Sequence, residues 1–239
     1  MRDGRLSGLD GDAAYLVAVG LVRLGAQEWL GTAGGTPAWV GRLRTASFAD
    51  AWLAFGDPAA PGLRVPARAV LRAIAERAAE LVVRSCAGDE SAALEWLGQR
   101  SAEAREQAHR DDVSHPAEPC ALTLVWHGVQ ALADKDGPDG AAGTEGTDEP
   151  DEPDEPEETS HGRRIDERGE AYIRERHRRQ DTLALVLGCT RIAAAALVEL
   201  SENDPVRVCG WLEEDAARAM PRVGPVPLWV PGRPWQPAG

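Results

Sequence analysis

An alanine-rich apolar stretch that ends in aspartate, with Trp-Leu seven residues further on, occurs twice in this chain. The first copy, VLRAIAERAAELVVRSCAGD at 70–89, leads to Trp96-Leu97; the second, LVLGCTRIAAAALVELSEND at 185–204, leads to Trp211-Leu212. The copies align without a gap at an offset of 115 residues. Apolar positions at three- and four-residue spacing read as a helix facing a core. Gly88 then reads as a stop and Asp89 as the N-cap of a following helix, and Asn203, Asp204 and Pro205 read as the cap and first position of the last helix. The pattern predicts a helical hairpin used twice. Over 70–104 against 185–219, eight of 35 positions are identical, and six of the eight are Ala, Val or Asp matches. Composition alone produces such matches in Ala-rich helices, so the weight of the repeat rests on Trp96/Trp211 and Leu97/Leu212.

Charge divides the chain. Asp134 to Glu158 holds twelve carboxylates against Lys135 alone, a net −11 out of −13 for all 239 residues. Gly, Pro, Asp and Glu dominate 135–162, and such a segment buries too little apolar surface to offset its chain entropy. A disordered acidic linker is therefore expected at 134–162. The remainder is nearly neutral and has no general attraction for nucleic acid or anionic lipid. Arg163, Arg164, Arg168, Arg174, Arg176, Arg178 and Arg179 follow the linker, interleaved with Asp166, Glu167, Glu170 and Glu175. That balance favours a solvated, ion-paired helix, and the linker is expected to shield the Arg163–Arg179 face from polyanions.

Arginine (25 residues) almost replaces lysine, and eight of the twelve aromatics are Trp. With abundant Ala, Gly and Pro, this usage points to a GC-rich bacterial source. Cys86, Cys120, Cys189 and Cys209 form no C-x-x-C, so zinc knuckles and thioredoxin-like pairs are not expected. They read as buried thiols acting as small hydrophobes. The polar start, MRDGRLSGLDGD, has no signal-peptide apolar region, and the apolar runs near 14–22 and 192–198 are too short for a bilayer. A reducing cytoplasm is the expected setting.

Along the chain, helices are expected from about Asp12 to Leu30, from Ser47 through Phe55, from Pro66 to Cys86, from Asp89 toward Asp112, and from Pro116 to Leu132. A long helix from Arg164 to Leu200, with Gly188 marking a bend or a close packing contact, and a last one from Pro205 to Met220 complete the set. No strand shows convincing alternation. The fold class is an all-α bundle of about seven helices. The expected division is an N-terminal helical lobe at 1–133, the acidic linker at 134–162, a C-terminal helical lobe at 163–222, and a Pro/Trp-rich extended tail at 223–239. A true duplication would make the lobes similar hairpins.

Motifs with chemistry are scarce. Glu106-x-x-His109 has di-iron spacing, but the second Glu-x-x-His that such a centre needs is missing, since Glu175 and His177 are two residues apart. His109, Asp111, Asp112 and His115 cluster where a helix ends in water. His127, beside Trp126, reads as a core histidine bonded to a backbone carbonyl. Gly31-Thr-Ala-Gly-Gly-Thr-Pro follows a helix and lacks the Gly-Lys-Ser/Thr ending of a phosphate loop, so it reads as a turn. Glu90, Glu95, Glu103 and Glu106 outnumber Arg100 and Arg105 on the second helix of the first hairpin and repel DNA. No catalytic residue, cofactor-binding residue or metal ligand is assigned. The function expected is a non-enzymatic protein–protein interaction module: an adaptor, regulator or assembly partner of another protein. One alternative is an enzyme or small-ligand-binding bundle; another is a nucleic-acid-associated regulator using the Arg163–Arg179 helix.

Overall fold

The computed structural model describes residues 4–55, 64–111, 117–136, 160–176 and 178–223. Among them are eight α-helices: α1 Gly4–Ala33, α2 Ala38–Trp52, α3 Ala67–Ser85, α4 Glu90–Asp111, α5 Ala117–Asp136, α6 Ser160–Arg176, α7 Arg179–Leu200 and α8 Pro205–Val223. The protein is an all-α helical bundle. The acidic segment 137–159 and the tail 224–239, with Trp229 and Trp235, lie outside the described residues.

Several elements differ from the sequence expectation. The second helix starts at Ala38, directly after Pro37, whose φ of −59° is preset for entry into a helix. Ser47 lies inside it, so Ser47 and Asp50 do not form a cap. Two short parallel strands, β1 Leu53–Ala54 and β2 Val65–Pro66, pair where none was expected. The long helix is two helices, α6 ending at Arg176 and α7 starting at Arg179, with Arg178 extended at φ −110°, ψ 131°. Gly188 marks a close packing contact: a Cβ there would lie 2.9 Å from the Ala121 Cβ, so the glycine admits α5. Cys120 and Cys189 are buried, but Cys209 is exposed and Cys86 half-buried. The α7 helix is also long and apolar enough to cross a membrane, with a mean hydropathy of 1.9 over its most apolar window. It packs against α1, α3 and α5 and supplies much of the core, including Leu185, Val186, Cys189 and Leu197.

The two hairpin turns are built alike. Gly88 N–H donates to the Val83 carbonyl at 2.9 Å, and Asn203 N–H donates to the Val198 carbonyl at 2.9 Å. Ala87 N–H reaches the Arg84 carbonyl and Glu202 N–H reaches the Glu199 carbonyl, completing a Schellman motif in each. Ala87 and Glu202, at φ 57° and 55°, take the same left-handed position. Asp89 and Asp204 then cap α4 and α8 through their Oδ1 atoms, to Ala92 N–H and Val206 N–H. The turn residues and the two capping aspartates keep the 115-residue offset; the capped N–H lies three residues after Asp89 but two after Asp204.

The repeat extends beyond the hairpins. At an offset of 103, Ala14, Val17, Ala18, Val19, Leu21, Val22 and Ala26 of α1 fall on Ala117, Cys120, Ala121, Leu122, Leu124, Val125 and Val129 of α5, and all fourteen are buried. A Cβ on Gly25 would meet the Ala194 Cβ at 2.9 Å; one on Gly128 would meet the Ala79 Cβ at 2.7 Å. Gly25 and Gly128 keep the 103 offset, and Ala79 and Ala194 keep 115. Packing follows the same exchange. The α3 helix packs on α7, α1 and α5 each pack on both, α2 packs on α1 as α6 does on α5, and α8 packs on α1 as α4 does on α5. Among the described residues the helices thus fall into two four-helix units, α1–α4 and α5–α8, whose contacts correspond by an approximate twofold exchange about the α3–α7 contact. The α5 helix opens the second unit, and both units share one core.

Trp96 and Trp211 cross between units. Trp96 Nε1–H donates to Glu199 Oε2 at 3.1 Å, Arg100 Nη2 donates to Glu199 Oε1 at 2.8 Å, and the Arg100 guanidinium lies 5.0 Å from the Trp96 ring centre. On the other side, the Arg84 guanidinium lies 5.4 Å from the Trp211 ring centre. Arg84 is the counterpart of Glu199. Both indoles are half-buried, whereas Leu97 and Leu212 sit in the core. The loss of 3–5 kcal/mol typical of a fully buried Trp therefore does not apply, and Trp96→Ala and Trp211→Ala should each cost about 2 kcal/mol. Leu97→Ala and Leu212→Ala should cost at least as much. Urea midpoints of the four variants check this order; a loss at Trp96 well above that at Leu97 contradicts it.

Candidate functional site

The twofold creates two related clefts, one where α4 meets α5 and α7, the other where α8 meets α1 and α3. Their residues differ, and so do their contents.

Large and charged residues fill the α1–α3–α8 cleft. Arg77 and Asp215 are 2% and 1% exposed. Arg77 Nη2 donates to Asp215 Oδ2, and Arg77 Nη1 donates to Glu80 Oε2 at 2.6 Å. Asp215 Oδ1 is buried without a hydrogen bond, with Arg218 Nη1 3.8 Å away. Burial pushes the Asp215 carboxyl upward, against the lowering effect of Arg77, Arg218 and Arg84. Tyr15 is half-buried beside the pair; burial and then Asp215 raise its hydroxyl's pKa. With Asp215 closed off from solvent, this cluster holds helices together instead of meeting a substrate.

The α4–α5–α7 cleft carries smaller side chains at the same positions. Ile192 stands where Arg77 does, Ala195 for Glu80, Glu118 for Tyr15, and Arg100 for Asp215. Arg100 turns outward to Glu199, so its cleft lacks the ion pair that fills the other. What remains is an open groove of about 590 Å³, within the range of ligand sites. Ala117, Ala121 and Leu122 of α5 and Leu187, Gly188 and Ile192 of α7 make its apolar walls. Trp96 and Trp29 stand over it, the latter 49% exposed at the end of α1. Arg100, Glu103, Glu118 and Arg191 form the charged rim.

The residues singled out by spacing do not gather here. Glu106 is exposed on α4, and the side chains of His109, Asp111, Asp112 and His115 lie outside the described residues. Among the described residues no group of three His, Cys, Asp or Glu is placed to hold a metal. His127 is half-buried, with Nδ1 3.3 Å from Gln130 Oε1. The Gly31–Pro37 segment is a helix ending: Gly34 N–H donates to the Leu30 carbonyl, and Gly35 takes φ +87°. Cys120 and Cys189 are shielded thiols whose pKa burial raises. The groove was missed because its lining comes from four separated helices and no spacing rule joins them. Trp96 was visible as part of the repeat, but not as a groove residue.

Comparison of the chain with protein-family models, with curated proteins and with solved structures gives no match. The reading of the groove therefore rests on its own geometry.

Proposed function

We propose that the protein is a helical interaction module, an adaptor, regulator or assembly partner, that takes an apolar segment of another protein into the α4–α5–α7 groove. One observation carries this reading: of two clefts related by the twofold, one is filled by its own side chains and the other has apolar walls with the exposed Trp29 and the half-buried Trp96 along them. Indole and aliphatic surface with a mixed-charge rim is the composition of peptide-binding grooves. The four free cysteines fit a reducing, cytoplasmic setting. The test is Leu187→Glu, which puts a charge into the groove wall from a half-buried position. It should abolish binding of Pro/Trp-containing peptides, read by fluorine NMR of fluorotryptophan-labelled protein, while moving the unfolding midpoint little. Unaltered peptide binding in that variant would overturn the reading.

The nucleic-acid alternative has less support. Arg179 pairs with Asp50 and stacks over Phe55, Arg174 lies 3.9 Å from Glu170, and Arg176 lies over Tyr172. These contacts spend much of the Arg163–Arg179 face on the protein itself. Replacing 137–160 by a neutral linker should raise retention on heparin modestly and only at low salt. Replacing the seven arginines by Gln in that background should remove the gain. Strong retention of the intact protein, lost with the arginines, would favour the nucleic-acid reading.

A further inference from the structure

We propose that residues 224–239 of the same chain occupy the α4–α5–α7 groove, so that the protein carries its own competing ligand. The proposal rests on reading the groove as a docking site and names its occupant. Three observations select the tail. Its chemistry matches: Pro231-Gly-Arg-Pro234 and Pro234-Trp-Gln-Pro237 are two overlapping P-x-x-P segments, and proline-rich extended chains dock on aromatic-lined grooves at low entropic cost. Trp29 and Trp96 supply the aromatic surface.

Charge agrees as well. Arg233 is the only charged side chain in 224–239, and the rim is balanced, with Glu103 and Glu118 beside Arg100 and Arg191, which suits a nearly neutral segment carrying one arginine. The acidic segment, with its −11, would meet only two arginines there beside two glutamates and is the poorer fit.

Reach is the third. The α8 helix packs on α1, with Asp215 near Tyr15. Val223, where α8 ends, is eight residues past Asp215, roughly 12 Å along α8, and Trp29 is fourteen residues past Tyr15, roughly 21 Å along α1. Even if the two helices run apart, the separation is roughly 33 Å. Trp235 is twelve residues past Val223, and an extended proline-rich chain of that length spans roughly 37 Å, so Trp235 reaches Trp29 with little chain to spare.

The experiment compares the full chain with its Trp229→Ala/Trp235→Ala variant, both labelled with fluorotryptophan, and titrates each with a synthetic peptide of residues 224–239. A tethered tail competes at an effective concentration on the order of millimolar. The variant should therefore bind the peptide about tenfold more tightly than the unaltered chain. The Trp29 and Trp96 signals should also move when the tail tryptophans are removed, by the same amount at every protein concentration. Equal peptide binding by both proteins would mean that the groove accepts such segments but is not occupied by its own tail; the proposal falls and the docking reading stands. A shift that vanishes on dilution would place the tail in a second copy and overturn the intramolecular form. If the peptide binds neither protein and Trp29 and Trp96 do not move, both readings fall.

Discussion

Replacing Arg77 by Met is expected to cost about 3–5 kcal/mol at pH 7, and adding Asp215→Leu to that variant should restore most of the loss. The pair lies between α3 and α8, both partners almost fully buried. Removing Arg77 leaves a carboxylate out of water with only Arg218, 3.8 Å from Oδ1, still close. Removing both partners leaves an apolar contact in an apolar cleft, which is why the double variant recovers. The pH dependence has a definite sign. Burial raises the folded-state pKa of Asp215 above its ordinary 3.8. The folded state therefore holds this proton to higher pH than the unfolded chain does. The stability this group contributes is fully present below the ordinary value and is lost as pH rises through the folded one. Without Arg77 the folded value climbs further. The deficit of Arg77→Met relative to the unaltered protein should then shrink as pH falls from 7 toward 4.5. Urea midpoints across that range decide it; a loss under about 1 kcal/mol at pH 7, or a deficit indifferent to pH, would show that the pair is not buried as described.

Gly25→Val and Gly128→Val should each destabilise the protein by about 3 kcal/mol, the upper part of the overpacking range. The added Cβ would lie 2.9 Å from the Ala194 Cβ in one case and 2.7 Å from the Ala79 Cβ in the other, with the Ala75 carbonyl oxygen 3.3 Å away. Neither neighbour can rotate aside, so α1 must move off α7, or α5 off α3. Gly98→Val is the control: nothing lies within 4 Å of its Cβ position, and stability should hold or rise slightly with helix propensity. The pairing itself is testable. Ala79→Gly should rescue part of the Gly128→Val loss, and Ala194→Gly should rescue part of the Gly25→Val loss. The crossed combinations should rescue nothing. Thermal or urea unfolding of the set measures this; rescue by the wrong partner would contradict the twofold arrangement.

The sequence by itself determined the helices and their punctuation. Gly88 with Asp89, and Asn203 with Asp204, marked two turns in which local hydrogen bonds suffice, because caps and left-handed stops are decided within a few residues. The period of Leu71, Ile74, Ala78 and Leu81 likewise marked the buried face of α3. Tertiary structure decided the rest. The break before α7 follows no proline or glycine; the chain turns there so that α6 packs chiefly on α5 while α7 packs chiefly on α3, with α1 and α5 beside it. The kinship of α1 and α5 lies in matched burial and in two glycine–alanine approaches, which become apparent only when α3 and α7 are in place. The groove is further removed still from local signals. It exists because Ile192, Ala195 and Glu118 occupy positions that Arg77, Glu80 and Tyr15 fill on the other side of the twofold, and only packing brings those positions together.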